Sequence, residues 1–251
     1  MRGASLLWAI GVIAGGGGEV SDRLHRGWTG TGSVQMGKGL ESKAKAQTLI
    51  LEDDIYGDLL GRDRPKPLRA FDDGSTVLYA TSFSKTVAPG LRIGFCLPGK
   101  WMESAADRQC RQSIHGAVPP EYMTAAFLRS GRMESHLEML KTVYGKRREL
   151  AGGILARELP EGYRADDPGG GYMLWIRGAK AGITEEVRKK CLERGVAVVG
   201  GGIFFAVPPK EACFRLNCAR VTPEDLARGV GVFCEVLKAE AVRTGARKSR
   251  T

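Results

Sequence analysis

A short segment combines the groups that a phosphorylated aldehyde needs. Ser82-Phe83-Ser84-Lys85 follows an apolar run, and Arg92 comes seven residues after Lys85. A lysine at the end of a buried strand is poorly solvated, which disfavours its charged form and makes the amine a better nucleophile. Such an amine can form a Schiff base with an aldehyde, while a guanidinium and two hydroxyls suit a phosphate. Pyridoxal 5′-phosphate is the common cofactor of this kind.

A second group of polar residues precedes this segment. Asp53-Asp54-Ile55-Tyr56 ends another apolar run. A carboxylate that faces the ring nitrogen of pyridoxal phosphate keeps that nitrogen protonated, and a phenol beside the 3-oxygen tunes the cofactor. Asp53 and Tyr56 are three residues apart and could supply these two groups.

Simpler interpretations of the same residues stay open at this point. Lys85 and Arg92 could be ordinary surface charges on a loop. Asp53 could cap a helix or form a turn, with Tyr56 in the core. The two clusters together favour the cofactor site over these alternatives.

The two clusters need strands that end at one edge of a sheet. Residues 48–51, 76–80 and 92–97 are apolar runs next to polar residues or turns, and we predict each of them as a buried strand of the parallel type. Open α/β sheets bind ligands at the carboxyl ends of such strands. The sequence therefore predicts that the first two strands present Asp53 and the Lys85 segment.

The remainder of the chain alternates helical and strand patterns. Thr222, Pro223 and Asp225 form a capping box that begins the last helix, which we expect to end near Lys238. Thr184 is the expected cap of the preceding helix. The other predicted helices are 101–113, 121–129, 133–159 and 185–194, and the other predicted strands are 172–176, 196–199 and 214–217.

Composition excludes several classes of protein. The chain has 251 residues, of which 43% are hydrophobic and 26% charged, so it is neither wholly disordered nor collagenous. The net charge is +10, but most of the excess lies in 1–48 and 241–251, which argues against a nucleic-acid-binding face. The apolar run 6–14 is too short to span a membrane.

Cysteine and histidine usage points to a reducing compartment and away from metal chemistry. The six cysteines form no CxxC pair, so we expect free thiols and a cytoplasmic location. The three histidines show no metal-ligand spacing, so we predict no metal site and no Ser–His–Asp hydrolase.

Four motifs in order give the chain a resemblance to a known family. They are LEDDIYGDL at 51–59, TSFSKTVAPGLRIGF at 81–95, PGGGYMLW at 168–175 and FRLNC at 214–218. Residues 41–240 resemble fold-type-I pyridoxal-phosphate enzymes of the class I/II aminotransferase group. They are most similar to aminoadipate/kynurenine-type aminotransferases and to the aminotransferase-like domain of MocR-type regulators of the GntR family, whose wording RPKPLRAFDD at 64–73 resembles.

The resemblance assigns roles to individual residues. It implies that Lys85 is the catalytic Schiff-base lysine, with Asp53 as partner of the ring nitrogen and Tyr56 as partner of the 3-oxygen. The phosphate ligands would be Ser82, Ser84 and Arg92, and Arg215 would bind the substrate carboxylate. The glycines at 169–171 would either let backbone approach the substrate or form a tight turn.

The sequence also departs from the family. The family places a phosphate-binding loop, a stacking aromatic ring and an asparagine before the Asp-x-x-Tyr strand, and 1–40 match none of them. We therefore expect an α/β chain with an incomplete fold-type-I large domain and a small α+β domain. The expected segments are an irregular stretch at 1–47, a partial large domain at 48–158, a small domain at 159–240 and a basic tail at 241–251.

Three functions remain in view. The first is amino-group transfer between an amino acid and a 2-oxo acid, impaired by an N-terminal truncation. The second is the effector-sensing domain of a MocR-type regulator without its DNA-binding domain, and the third is an inactive fragment. The resemblance implies a homodimer, with no nucleic acid or membrane partner for this chain.

Overall fold

The computed structural model describes residues 10–13, 49–61, 64–205 and 207–248. It divides into two compact units, one up to Lys141 and one from Thr142. The division falls within helix α3 (Met133–Glu158). Each unit is described by itself, and the predicted domain boundaries stay predictions.

The first unit contains a four-stranded mixed sheet in the order β1-β2-β3-β4. The strands are β1 (Ile10–Ile13), β2 (Leu49–Asp53), β3 (Val77–Ser82) and β4 (Gly94–Leu97). Strand β1 lies in a segment that the sequence predicts as irregular. It pairs with β2 in the antiparallel direction, whereas β2 and β3 are parallel as predicted.

Burial of β2 follows the alternation of a strand with one covered face. Ile50 and Glu52 are buried, while Leu51 and Asp53 on the other face are partly exposed. The two buried side chains point to the same side because neighbouring side chains in a strand alternate. Glu52 tolerates burial because its carboxylate accepts hydrogen bonds from the backbone N–H groups of Leu68, at 2.7 Å, and Arg69, at 2.9 Å.

Strand β4 corrects the prediction that residues 92–97 form a buried strand of the parallel type. It is antiparallel to β3, with Gly94 opposite Ser82, and all four of its residues are exposed. Only residues 83–93 connect the two strands, and they contain a turn and a short 3-10 helix at Pro89–Leu91. A parallel connection needs a dozen or more residues, so this short one reverses the chain.

Three helices follow the first sheet. Helix α1 (Met102–Ser113) and helix α2 (Val118–Arg129) precede α3 and agree with the predicted 101–113 and 121–129 to within a few residues. Pro119 and Pro120 lie in the first turn of α2, where their missing N–H groups need no partner in the helix.

The second unit contains an antiparallel sheet in the order β5-β6-β8-β7. Its strands are β5 (Tyr163–Asp166), β6 (Met173–Lys180), β7 (Val199–Gly200) and β8 (Glu211–Asn217), and its helices are α4 (Thr184–Glu193) and α5 (Pro223–Lys248). One face of the sheet packs with α4, α5 and the end of α3 in a core that includes Leu155, Leu174, Ile176, Val187, Phe214, Leu216, Phe233 and Leu237.

The helix ends of this unit confirm one predicted cap and correct another. The Asp225 N–H donates to Thr222 Oγ1 at 3.2 Å, as the capping box predicts. Thr184 is not a cap, because it is already the first residue of α4 and the cap position is Ile183. Helix α5 continues beyond Lys238 to Lys248, since the buried carboxylate of Glu240 pairs with Lys190 and holds the later turns.

Strands β5 and β7 also differ from the sequence expectation. Strand β5 is not predicted at all, and β7 contains only two residues where 196–199 are predicted. The Val196 N–H donates to the Cys191 carbonyl at 2.8 Å, so this residue belongs to the turn that ends α4. Its apolar side chain packs against the core from that turn.

We predict that replacing Gly94 by alanine separates β4 from β3. A Cβ atom at Gly94 would lie 2.5 Å from the Thr81 carbonyl oxygen, which is backbone and must move. We expect the Gly94→Ala free energy of unfolding, measured in urea, to fall by about 1–3 kcal/mol. Gly90→Ala is the matched control, because no atom lies within 4 Å of its Cβ position. Equal effects of the two substitutions would contradict this packing.

Candidate active site

The parallel pairing of β2 and β3 brings the two predicted clusters to one end of the sheet. Asp53 is opposite Ala80 in the register. The Asp54 N–H donates to the Ala80 carbonyl at 2.9 Å, and Thr81 Oγ1 donates to the Asp54 carbonyl at 3.2 Å. The chain therefore leaves both strands at the same edge, with Asp53 at the end of one and Ser82 at the end of the other.

The two adjacent carboxylates at this edge have different partners. The Asp54 carboxylate forms a salt bridge with Arg64 and accepts a hydrogen bond from the Tyr79 hydroxyl at 2.9 Å. Burial and this hydrogen bond raise the pKa of Tyr79 to about 12. Asp54 thus belongs to a local network that holds the strand end in place.

Asp53 keeps its carboxylate outside that network. It accepts a hydrogen bond from the Ile55 N–H at 3.3 Å, and no salt bridge within the described residues includes it. Burial raises the pKa of Asp53 above its ordinary value, and the neighbouring charge of Asp54 adds to the rise, while the Ile55 N–H opposes it. A cation placed against Asp53 would remove this cost of ionisation.

The predicted phosphate ligands lie together. Ser82 Oγ and Ser84 Oγ are 2.9 Å apart, and Arg92 Nη1 donates to Ser84 Oγ at 3.3 Å. The Ser84 N–H points to the Ser82 oxygen at 3.1 Å, so backbone and side chains form one group of donors. Arg92 has a left-handed backbone with φ 54°, and its residue is exposed. This cluster fits a phosphate, which takes charge-assisted hydrogen bonds.

Lys85 lies one residue beyond the serines and near the predicted phenol. Its Nζ is 6.0 Å from the centre of the Tyr56 ring, and both residues are half-buried. The turn that holds Lys85 is fixed by the Phe83 carbonyl, which accepts N–H groups from Val87 at 2.7 Å and Ala88 at 3.2 Å. An amine, a phenol and a group of phosphate donors around one turn fit a phosphorylated aldehyde.

Arg215 belongs to the second unit. It lies on β8, opposite Trp175 of β6 and Val199 of β7. Its guanidinium carbon is 4.8 Å from the centre of the Phe204 ring, and the Trp175 ring lies 5.8 Å from that ring. Phe204 is a contact that the sequence analysis missed, because the RLN motif gives no information about the loop that covers it.

Two arginines that sequence reasoning missed hold the loops next to this strand. Arg148 Nε donates to the Gly171 carbonyl at 3.0 Å, and Arg147 Nη1 donates to the Cys218 carbonyl at 3.3 Å. The first loop is the predicted glycine run. Gly169 has φ 76° with nothing within 4 Å of its Cβ position, so its backbone conformation, rather than a close neighbour, requires glycine.

Other site classes find no support in the part of the chain that the structure describes. No group of three or more metal-ligating side chains occurs among residues 10–13, 49–61, 64–205 and 207–248. No helix within these ranges has the length and apolar character of a membrane span. The six cysteines are free thiols, four of them buried.

We predict that Asp53→Asn removes a destabilising effect of neutral pH. Because the folded chain raises the pKa of Asp53, its contribution to stability is present below the ordinary aspartate pKa and is lost as the pH rises through the raised value. The variant should therefore gain unfolding free energy relative to the native chain between about pH 4 and about pH 7. Urea unfolding at several pH values measures this difference.

The control for this prediction has the opposite sign. Hydrogen bonds from Ser75 lower the pKa of the exposed Asp73, so Asp73→Asn should lose stability relative to the native chain over the same pH range. If Asp53→Asn behaved like Asp73→Asn, the carboxylate at 53 would be stabilised in its charged form by the fold, contrary to this description.

Comparisons with known proteins agree with this site. The profile of the family "Aminotransferase class I and II" matches residues 37–233. The 2-aminoadipate transaminase of Thermus thermophilus is 31% identical over 76% of this chain and 49% of its own. The HTH-type transcriptional regulator YdfD of Bacillus subtilis is also 31% identical, over 73% of this chain and 38% of its own.

Solved structures give the same relationship. The multiple substrate aminotransferase of Thermococcus profundus superposes with a TM-score of 0.78 and 26% identity over 84% of this chain and 53% of its own. LysN, the α-aminoadipate aminotransferase of Thermus thermophilus, gives 0.75 and 28% over 83% and 55%, and its structure holds N-(5′-phosphopyridoxyl)-L-leucine. The chain spans about half or less of the length of these relatives.

These matches confirm the predicted fold class, an incomplete fold-type-I α/β architecture, and pyridoxal 5′-phosphate as the cofactor of the family. They also confirm both branches of the resemblance, to aminoadipate aminotransferases and to regulators with an aminotransferase-like domain. The chain belongs to the class I and II aminotransferase family.

Proposed function

We propose that this chain binds pyridoxal 5′-phosphate through the amine of Lys85, in a site for amino-group transfer between an amino acid and a 2-oxo acid. The observation that supports the proposal is the grouping around one turn of the Lys85 amine, the Tyr56 ring at 6.0 Å and the hydroxyls of Ser82 and Ser84. Family membership gives this grouping its chemical meaning.

The proposal assigns a task to each residue near the cofactor. Ser82, Ser84 and Arg92 bind the phosphate with their hydroxyl and guanidinium donors, while Asp53 holds a proton on the ring nitrogen. Tyr56 orients the 3-oxygen. When bound, the cofactor supplies an electron-withdrawing ring, which stabilises negative charge on the substrate carbon.

Lys85 has two tasks in this proposal. Its Nζ holds the cofactor through the aldehyde carbon, and after substrate binding the same atom moves a proton at the substrate Cα. Both tasks require a neutral amine in part of the cycle. The half-buried position of Lys85 beside the Tyr56 ring supports this role, since partial desolvation disfavours the charged amine.

Arg215 is proposed to bind the substrate carboxylate. A guanidinium forms two parallel hydrogen bonds with a carboxylate, which a lysine does not reproduce. The Phe204 ring at 4.8 Å stacks on this guanidinium and is suited to fix its plane. The homodimer and the cytoplasmic location that the sequence suggests stay predictions.

The regulator alternative uses the same cofactor residues. Matches to HTH-type regulators cover 68% to 73% of this chain, and matches to enzymes cover the same region. No side chain within the described residues favours effector sensing over amino transfer. We propose amino transfer because the site includes a candidate for each task, from the Lys85 amine to the Arg215 guanidinium.

We predict that Lys85→Ala abolishes the visible absorbance that develops when the purified chain is mixed with pyridoxal 5′-phosphate, because the substitution removes the amine that condenses with the aldehyde. Lys100→Ala is the matched control. Lys100 is exposed and stacks on Trp101 at 4.6 Å, away from the serine cluster, so its loss should leave the absorbance unchanged. An absorbance retained in Lys85→Ala and lost in Lys100→Ala would overturn the proposal.

A further inference from the structure

A histidine from a distant part of the chain contacts the turn that holds Lys85. His136 Nε2 lies 2.7 Å from the carbonyl oxygen of Thr86, a residue fifty positions earlier in the chain. Thr86 follows Lys85 directly and is only 4% exposed. His136 belongs to the first turn of α3, so this contact joins the lysine turn to a long helix.

The chemistry of the two atoms fixes the direction of this hydrogen bond. A carbonyl oxygen can only accept, so His136 Nε2 bears the hydrogen and donates. The orientation of the ring is supported by Phe127 of α2, whose ring is edge-on to the imidazole at 5.5 Å and 86°. The backbone N–H of His136 donates to the Arg132 carbonyl at 3.0 Å, which fixes the start of the helix.

The accepting carbonyl lies within the segment that sets the position of the Lys85 amine. At the front of the turn, the Phe83 N–H donates to the Ile93 carbonyl at 2.9 Å, and the Phe83 carbonyl accepts from Val87 and Ala88. His136 holds the turn from the other side of Lys85. A buried carbonyl without its donor costs free energy, so the loss of this ring would let the turn rearrange.

We infer that His136 is a positioning residue for Lys85, which acts by donating its Nε2–H to the Thr86 carbonyl and thereby fixing the turn from which the lysine amine extends. This inference rests on the proposed function for its chemical consequence. His136 contacts Thr86 rather than the reacting amine, so its effect passes through the backbone of the turn.

Two substitutions separate the hydrogen bond from the packing of the ring. His136→Phe keeps an aromatic ring against Phe127 but removes the donor, whereas His136→Gln keeps an N–H donor near the Nε2 position. His115→Gln is the control, because His115 is exposed and its Nδ1 contacts only the neighbouring Gly116 carbonyl, at 2.8 Å. Each chain is purified at full length, and circular dichroism verifies its fold.

Two measurements are made on these chains. Without cofactor, hydrogen exchange of the amides of residues 86–88 should be about tenfold faster in His136→Phe, the factor expected for one hydrogen bond of ordinary strength. With pyridoxal 5′-phosphate, the visible absorbance should develop more slowly by a similar factor. His136→Gln should restore most of both values, and His115→Gln should match the native chain.

The outcomes distinguish this inference from the proposed function. If exchange and absorbance are unchanged in His136→Phe, or if only one of them changes, the positioning role is overturned. If the native chain develops no absorbance, the proposed function fails, and hydrogen exchange alone then decides whether His136 holds the turn. If His136→Phe does not fold, ¹⁵N NMR of the native chain decides: a neutral ring protonated at Nε2 supports the inference, and one protonated at Nδ1 overturns it.

Discussion

The parallel pairing of β2 with β3 is the constraint on which the site depends. The Ile50 N–H donates to the Thr76 carbonyl at 3.0 Å at one end of this pair, and the Asp54 N–H donates to the Ala80 carbonyl at 2.9 Å at the other. Parallel strands end at the same edge, so residues that are about thirty positions apart become neighbours in space. A shift of one residue in the register would exchange Asp53 and Asp54 between the two faces of the sheet.

This register gives the adjacent carboxylates separate tasks. Asp54 is neutralised by Arg64 and bonded to Tyr79, and it holds the strand end. Asp53 is partly buried without such a salt bridge among the described residues, so its charge is costly until a cation faces it. The arrangement is typical of a site whose electrostatic balance is completed by a ligand.

Local pattern was sufficient to predict much of the first sheet and all of the proposed cofactor ligands. The apolar runs that end in Asp53 and in Ser82 predict β2 and β3, because buried parallel strands have this pattern. The same pattern does not give the direction of β4, since an apolar run reads alike in parallel and antiparallel strands. The length of the connection, residues 83–93, contains that information.

Contacts between distant residues could not be predicted from pattern. The contact between His136 and Thr86 joins residues fifty positions apart, and so does the ion pair of Glu240 with Lys190 that extends α5 beyond Lys238. Nothing in the local sequence of either partner signals them. The stacking of Phe204 on Arg215 likewise depends on a loop whose path the sequence does not reveal.

The most direct test of the account is to identify the lysine that pyridoxal 5′-phosphate modifies. The purified chain is mixed with the cofactor, reduced with borohydride, digested and mapped by mass spectrometry. The account predicts that the reduced cofactor is attached to Lys85, which is half-buried beside the Tyr56 ring. Attachment mainly to another lysine, or equal labelling of exposed lysines such as Lys100, would contradict it.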